Sequence, residues 1–480
     1  MRQQKLIKYI LGAVVGAAVP TLLITGEAFA ADADPVAVLA QQTSLLWVVL
    51  GAVLVIFMQA GFALVETGFT QAKNAAHVFS SNFAIFGLGF VGFFLIGFPL
   101  AFGGYSFKGA FGLDTAIGKP LVGSGNWVFL WDGGWALSGA GVTPALLAFF
   151  LYMAAFMDTT ATIPTGSMAE RWKWNSFVGW GLFVGAIYYP LFAAWTWGGG
   201  WLAKTWDTLH AGAGYVDFAG SGVVHAVGGA AALAGAIVLG PRIGKYGPDR
   251  KPRTIAGHNI PMALLGTLIL LVGWFGFNAA STLSVADVQF ATVAANTAVA
   301  AAFGAVFAMF YAQKRLGKPD PGMMANGMLA GLVAITAPCA FTTPAWSAAI
   351  GGVAAILVIE SCLFFERKGI DDPVGAISVH GVVGTFGVIS VGLVANGSYG
   401  TGINGSSSTG VKGLLYGDGG QLVAQLIGIA VIWTVIFGIA FGFFKVQNNL
   451  TKGGIRSSEA DEIAGLDVPE MGVLAYVPAD

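Results

Sequence analysis

Apolar runs long enough to cross a bilayer recur eleven times in this chain, near residues 44–68, 77–102, 142–166, 175–197, 220–241, 258–281, 289–313, 323–341, 346–366, 374–396 and 421–446. In hydrocarbon a backbone N–H or C=O has no water to turn to, so a spanning segment of about 20 residues must close its hydrogen bonds on itself as a helix. Burying all these runs in one soluble core would need a charged shell around them. Only 10% of the residues are charged, against about 25% in an ordinary soluble domain. The expectation is an all-α polytopic membrane protein, embedded in a lipid bilayer, with eleven transmembrane helices of which the eleventh is long. The 71 glycines suit it, because small residues let helices approach closely where lipid gives no hydrophobic drive for association.

The N-terminal end adds a targeting signal. Arg2, Lys5 and Lys8 precede an apolar stretch from Tyr9 to Ile24, and Ala28-Phe29-Ala30 has the small-x-small form of a signal-peptidase site. Residues 1–30 are expected to be a cleaved signal peptide, the alternative being a twelfth, uncleaved helix. Cleavage puts the new N-terminus outside the cytoplasm. Between the helices the basic residues then divide sharply: sixteen fall on the inner side, among them Lys73, Arg171, Arg242, Arg315, Arg367 and Arg456, and only Lys108, Lys119, Lys204 and Lys412 on the outer side. That bias obeys the positive-inside rule. It places the protein in the cell inner membrane, N-terminus outside and C-terminus cytoplasmic, with a transmembrane domain over 31–446 and a cytoplasmic tail over 447–480. The tail, with Glu459, Asp461, Glu462 and Asp467, is either a regulatory contact or a disordered end.

Several functions are set aside by composition. A net charge of −1 gives no electrostatic footprint for nucleic acid. Cys339 and Cys362 have neither metal-ligand spacing nor a disulfide framework around them. No enzymatic chemistry, metal or cofactor is expected. One exception is weighed on the histidines below, which as a buried pair are also the kind of residue that ligates haem in an intramembrane redox protein.

Two stretches share unusual lettering. Asp217 through Gly220 and Val224 to His225, and Asp372 through Gly375 and Val379 to His380, both read Asp-x-x-Gly-x-x-x-Val-His. Each sets an imidazole in an apolar segment, a costly placement that marks function in membrane helices. They lie on the fifth and tenth runs, so five helices separate equivalent points and the chain enters the second from the opposite side. That makes helices 1–5 and 6–10 an inverted repeat, an architecture that puts binding sites near the midplane between the halves. His225 and His380 are expected to meet there.

The wording around these stretches resembles the ammonium transporter family, in its bacterial form with a cleavable signal peptide. The resemblance rests on DFAGSGVVH (Asp217 to His225), HNIP (His258 to Pro261), GWFGFNAAS (Gly273 to Ser281), DDPVGAISVHGVVG (Asp371 to Gly384) and GLLYGDGGQL (Gly413 to Leu422). AKN at Ala72, MAER at Met168, WGGG at Trp197 and EIAGLDVPE at Glu462 extend it over the whole mature chain. It implies a homotrimer with one pore per subunit, carrying ammonium or ammonia, and a PII-type regulatory protein at the cytoplasmic face.

The resemblance also implies roles for particular residues. Trp197 and Ser281 match the outer vestibule, where an aromatic face and a hydroxyl hold ammonium. An aromatic face attracts a cation by roughly 0.5 to 2 kcal/mol, enough to concentrate it without trapping it. Trp195 next to it is expected to be an interfacial anchor. Phe156 and Phe277 match two stacked rings that close the pore to hydrated metal ions. Asp217 matches a carboxylate that aids recruitment electrostatically, and as a residue at a helix start it is equally suited to an N-cap. His225 and His380 match the lumen. Three acids inside the runs depart from or add to this pattern: Asp158, expected to face a neighbouring helix rather than the gate, and Glu66 and Glu360, expected to hydrogen-bond between helices. An ammonium sensor built on the same fold is the alternative to a transporter; the 480 residues hold no kinase-like or cyclase-like output domain, so transport is expected first.

Overall fold

The computed structural model describes residues 34–107, 112–139 and 141–477, so the proposed leader at 1–30 lies outside them. Contacts divide the chain into Met1–Leu39 and Ala40–Asp480. Of the first unit the described part is the opening turn of one helix; the site belongs to the second.

Among the described residues the eleven-helix membrane fold is present. Ten helices are long and apolar enough to cross a membrane, α1 (Pro35–Phe69), α2 (Ala72–Phe102), α3 (Pro144–Met168), α4 (Trp174–Trp195), α5 (Ser221–Leu239), α6 (Ile260–Thr282), α7 (Gln289–Leu316), α9 (Pro344–Arg367), α10 (Ile377–Val394) and α11 (Gly419–Leu450), and α8 (Pro321–Thr336) is a shorter apolar helix. The starts follow local chemistry. Thr143, Asp320 and Thr343 each accept a hydrogen bond from the backbone N–H three residues on, and each is followed by a proline at the first helical position. There the missing N–H costs nothing and φ is already helical. α3 is almost wholly enclosed, whereas α1 and α11 turn Leu46, Val53, Phe57, Val423 and Leu426 outward. Exposed apolar flanks of that kind mark contact with lipid or with another subunit.

One span departs from the expected length. The run at 323–341 yields a helix that stops at Thr336, leaving α8 with 16 residues. Pro338 is the cause, since it has no N–H to continue the helical ladder. The carbonyls freed at Thr336 and Ala337 accept from the N–H groups of Ala219 and Phe218, at 3.1 and 3.2 Å. Those two residues lie in the non-helical lead into α5. Irregular backbone at membrane depth is tolerated only when paired within the protein in this way.

Between α2 and α3 the chain forms a hairpin of β1 (Lys119–Ser124) and β2 (Trp127–Asp132), antiparallel, with Lys119 opposite Asp132 and Ser124 opposite Trp127. The hairpin corrects the reading of Trp195. Its indole is buried and donates to the carbonyl of Phe129 at 3.0 Å, so it fastens the hairpin to α4 and is no interfacial anchor.

The ends of α1, α3, α5 and α9 converge on a buried charge cluster. Arg242 grips Asp371 through Nε at 2.8 Å and Nη2 at 2.9 Å, and also contacts Glu170. Glu170 in turn accepts from the Gln71 backbone and the Asn74 amide, at 2.7 and 2.9 Å. Burial alone would raise the Asp371 carboxyl, but the bonds and charges of Arg242 and Arg171 outweigh it and hold the group well below the usual carboxylate range. The C-terminal segment docks here as a short helix, α12 (Glu459–Ala464). Lys73 donates to the last-turn carbonyls of Glu462 and Ile463, both at 2.8 Å, and Arg456 pairs with the Glu462 carboxylate. The described part of the tail is therefore packed against the spans.

Candidate functional site

The two Asp-x-x-Gly-x-x-x-Val-His stretches fold alike. The Asp217 carboxylate accepts from the N–H groups of Gly220, Gly222 and Val223 at 2.9, 2.8 and 2.8 Å. The Asp372 carboxylate accepts from Gly375 and Ile377 at 3.0 and 2.7 Å. Each Asp thus caps the orphan donors of a helix start, and the Gly that follows turns at positive φ, +115° for Gly220 and +81° for Gly375. The helices open with π-type turns, Ser221–Ala226 and Ile377–Val382, which carry the two histidines. Wide turns of this kind recur at functional sites, where the extra residue re-aims a side chain.

The rings meet where α5 and α10 cross. Nδ1 of His225 lies 3.1 Å from Nδ1 of His380, with ring centroids 5.2 Å apart and planes inclined by 24°. The crossing is close because Gly229 has no side chain: a Cβ there would come within 2.2 Å of the Gly381 nitrogen. His225 is fully buried and its Nε2 has no hydrogen-bond partner.

A continuous column of rings extends from this pair. Phe277 lies 5.4 Å from His225, Phe156 stacks on Phe277 at 4.0 Å and 19°, and Trp197 meets Phe156 edge-on at 5.7 Å. Phe156 and Phe277 are completely buried, while Trp197 and Ser281 are partly open. Tyr152 ties the upper part together, its ring 4.7 Å from Phe156 and its hydroxyl 3.1 Å from Ser281 Oγ. The Trp197 indole donates to the Asp217 backbone carbonyl at 2.7 Å, which fixes the ring beside the capped helix start. The Asp217 carboxyl is spent on the backbone N–H groups of that helix start; burial pushes it up to about 6 against the opposing hydrogen bonds of Val223, Gly222 and Gly220. All seven residues singled out in the sequence therefore fall along one line or directly behind it.

On the far side of the histidines lies a cavity of about 20 Å³, lined by Phe62, Glu66, Leu270, Asn326, Val379 and His380. That is room for one water-sized guest.

A model of the Ammonium Transporter Family matches residues 46–476. The chain belongs to the ammonium transporter family. It is 43% identical to ammonium transporter Amt2 of Archaeoglobus fulgidus, over 90% of this chain and 87% of that one. It is 34% identical to ammonium transporter Amt1 of Haloferax mediterranei, over 92% and 80%. Among solved structures it is similar to a sensor Amt protein, with a TM-score of 0.77, 35% identity and coverage of 90% of this chain and 99% of that one. Mep2 of Candida albicans gives a TM-score of 0.70 at 27% identity, over 88% and 87%.

Measured against other ammonium transporters by resemblance, Asp158 was the unexpected residue in α3. It is 2% exposed and its Oδ1 has no hydrogen-bond partner. Glu66 bridges helices, accepting from Asn82 of α2 at 2.6 Å and from Thr165 of α3 at 2.8 and 2.9 Å. Glu360 of α9 accepts from Tyr311 and Arg315 of α7 at 2.9 and 2.7 Å. The haem reading fails on geometry, because nitrogens 3.1 Å apart leave no space for a porphyrin plane between the two rings.

Sequence reasoning passed over Tyr152, Trp274 and Phe62. Trp274 stacks on His225 at 5.2 Å and 18°, held by a bond from its indole to Thr336 Oγ1 at 2.9 Å. It lies one helical turn before Phe277 within GWFGFN, and that i, i+3 spacing put it on the same face. Tyr152 stands one turn before Phe156 in the same way. Phe62 carried no comparable signal.

Proposed function

We infer that this chain carries ammonium across the cell inner membrane by gathering the cation at the Trp197 end, removing its proton, and passing ammonia between Phe156 and Phe277 to the His225–His380 lumen and on to the cytoplasm. The observation that carries the reading is the direct Nδ1–Nδ1 contact of two buried histidines at the end of a closed aromatic column. Trp197 and Ser281 offer a π face and a hydroxyl acceptor at the open end, and the buried negative charge of Asp217 lies just behind them. Sodium or potassium would have to shed its water to enter the Phe156–Phe277 stack, and an apolar passage returns nothing for that loss. Ammonium alone can pass as a neutral molecule, by giving up its proton.

In this reading residues 1–30 are a signal peptide, 31–446 the transmembrane domain and 447–480 a cytoplasmic tail, in a homotrimer whose tail face receives a PII-type regulatory protein. The basic bias of the loops supports the orientation, and the docking of α12 on Lys73 supports a regulatory face. The test is uptake of ammonium or methylammonium by reconstituted protein. Replacing His225 and His380 together with Ala is expected to abolish uptake; uptake unchanged from the parent would remove the lumen assignment.

The likeness to a sensor Amt protein favours ammonium sensing as a second reading. Ammonium binding with no uptake in the same vesicles would support it.

A further inference from the structure

Among the described residues Glu66 is the one acid that lines the cavity beside His380. It sits on α1 one helical turn beyond Phe62, whose ring lies 6.1 Å from that of His380. Glu66, Asn326 and His380 line the same space of about 20 Å³. His380 spends Nδ1 on His225, so the edge left for a guest in that space is the Nε2 edge. The carboxylate is 3% exposed, and the partners that hold it, the Asn82 amide and the Thr165 hydroxyl, are neutral donors.

Asp158, equally buried, lines no part of this cavity, and the other intramembrane and cluster acids are held differently. Asp371 and Glu170 are locked by Arg242, Glu360 is paired with Arg315, and Asp217 and Asp372 are spent on backbone N–H groups. A carboxylate clamped by a guanidinium keeps its charge. One held by an amide and a hydroxyl, in contact with a cavity that admits a single small molecule, can gain and lose a proton. The charged and titratable neighbours that act on it are His380 across the cavity and Asp372 at the α10 start.

We propose that Glu66 is the inner proton acceptor of the pore, which takes the proton left on the histidine pair and returns it to ammonia in the cavity.

This rests on the transport reading given above. The pair receives the proton that ammonium sheds, so that neutral ammonia and one imidazolium result. The imidazolium passes a proton from His380 to a water in the cavity, and that water passes one of its own to the Glu66 carboxylate. The pair is again neutral and Glu66 is a carboxylic acid. Ammonia then replaces the water, its lone pair takes the acid proton, and ammonium leaves toward the cytoplasm with Glu66 ionised once more. One ammonium ion and one positive charge cross per cycle.

The experiment uses the full chain in liposomes, with current and methylammonium or ammonia uptake recorded on the same preparation after an ammonium jump. The wild-type protein is expected to give both. Glu66→Gln, checked for an unchanged elution profile and melting temperature, is expected to lose at least tenfold in current while uptake stays within twofold, because the pair then returns its proton to the outer side and ammonia crosses alone. Glu66→Asp, which keeps a carboxyl drawn back by one methylene, is expected to fall between them. Current in Glu66→Gln within twofold of the parent overturns the proposal. So does an equal loss of current and uptake in folded Glu66→Gln, which marks a structural residue, and so does wild-type uptake without current. If Glu66→Gln does not fold, an unchanged ratio of current to uptake in Glu66→Asp overturns it. Persistent uptake after loss of both histidines would instead strike the underlying transport reading, whatever Glu66 does.

Discussion

Two imidazoles with Nδ1 atoms 3.1 Å apart need one donor and one acceptor along that line. Putting a proton on both facing nitrogens would set two N–H groups against each other, so the pair holds at most one extra proton and hands it on at its outer edges. Histidine suits this because it accepts and donates with nearly equal ease. Asp217 is the other residue whose charge state bears on recruitment. Its carboxyl, pushed up to about 6 by burial, is ionised at neutral pH and loses its charge as the pH falls through that value. Half-saturation for ammonium is therefore expected to rise several-fold between about pH 7 and 5, since an attraction on the order of 1 kcal/mol between the carboxylate and the cation is lost with the charge. Asp217→Asn keeps an oxygen for the cap and removes the charge, so its half-saturation should be higher at pH 7 and show no step near pH 6. A step of equal size in the variant would assign the titration elsewhere.

At the scale of elements, the distance between the histidines is set by how closely α5 and α10 approach. Gly229 and Gly381 make the contact backbone to backbone, with the missing Gly229 Cβ only 2.2 and 2.3 Å from Gly381 N and Cα. Backbone cannot yield as a flexible side chain does. Gly229→Ala is expected to force the helices apart, cost about 1–3 kcal/mol in overpacking, and lower uptake at least tenfold by breaking the Nδ1 contact. A melting temperature and an uptake rate both equal to the parent's would show that the crossing tolerates a methyl group. The same logic explains α8. Its early stop at Thr336 is part of the site, because the freed carbonyls hold the lead of α5 while Ser221 donates to the Val333 carbonyl at 2.7 Å and accepts from the Ala337 N–H at 2.7 Å.

For the molecule as a whole, the charge cluster joins the ends of four spans and the tail. Replacing one member of a buried ion pair leaves its partner uncompensated, at a cost of about 3–5 kcal/mol. The pH dependence follows in sign from Asp371. Its carboxyl sits below the unfolded value when Arg242 and Arg171 hold it, so its contribution to stability is complete above about pH 4 and fades as the pH falls below that toward the folded value. Melting temperature in detergent is expected to drop below pH 4 more steeply for the parent than for Asp371→Asn, which starts lower and has no such proton to bind. Parallel curves would show that the cluster does not link folding to pH.

The membrane class, the eleven spans and the duplicated histidine stretches were legible in the chain because hydrocarbon enforces long apolar runs and makes every intramembrane imidazole conspicuous. Trp197, Phe156, Phe277 and Ser281 were placed by the wording of GWFGFNAAS, WGGG and MAER; among 36 phenylalanines no period or spacing singles out two. What the tertiary structure decided is which polar groups face one another. Asp217 reads as a charge near the site or a helix cap, and in the structure it and Asp372 each accept from the N–H groups of a helix start. Glu66 and Glu360 read alike in sequence, yet one meets an arginine at the protein's flank and the other a cavity beside His380. The sequence determines that such acids lie at membrane depth; the crossing of helices hundreds of residues apart determines whether each finds a cation, a backbone or an open space, and with it whether the acid can move a proton.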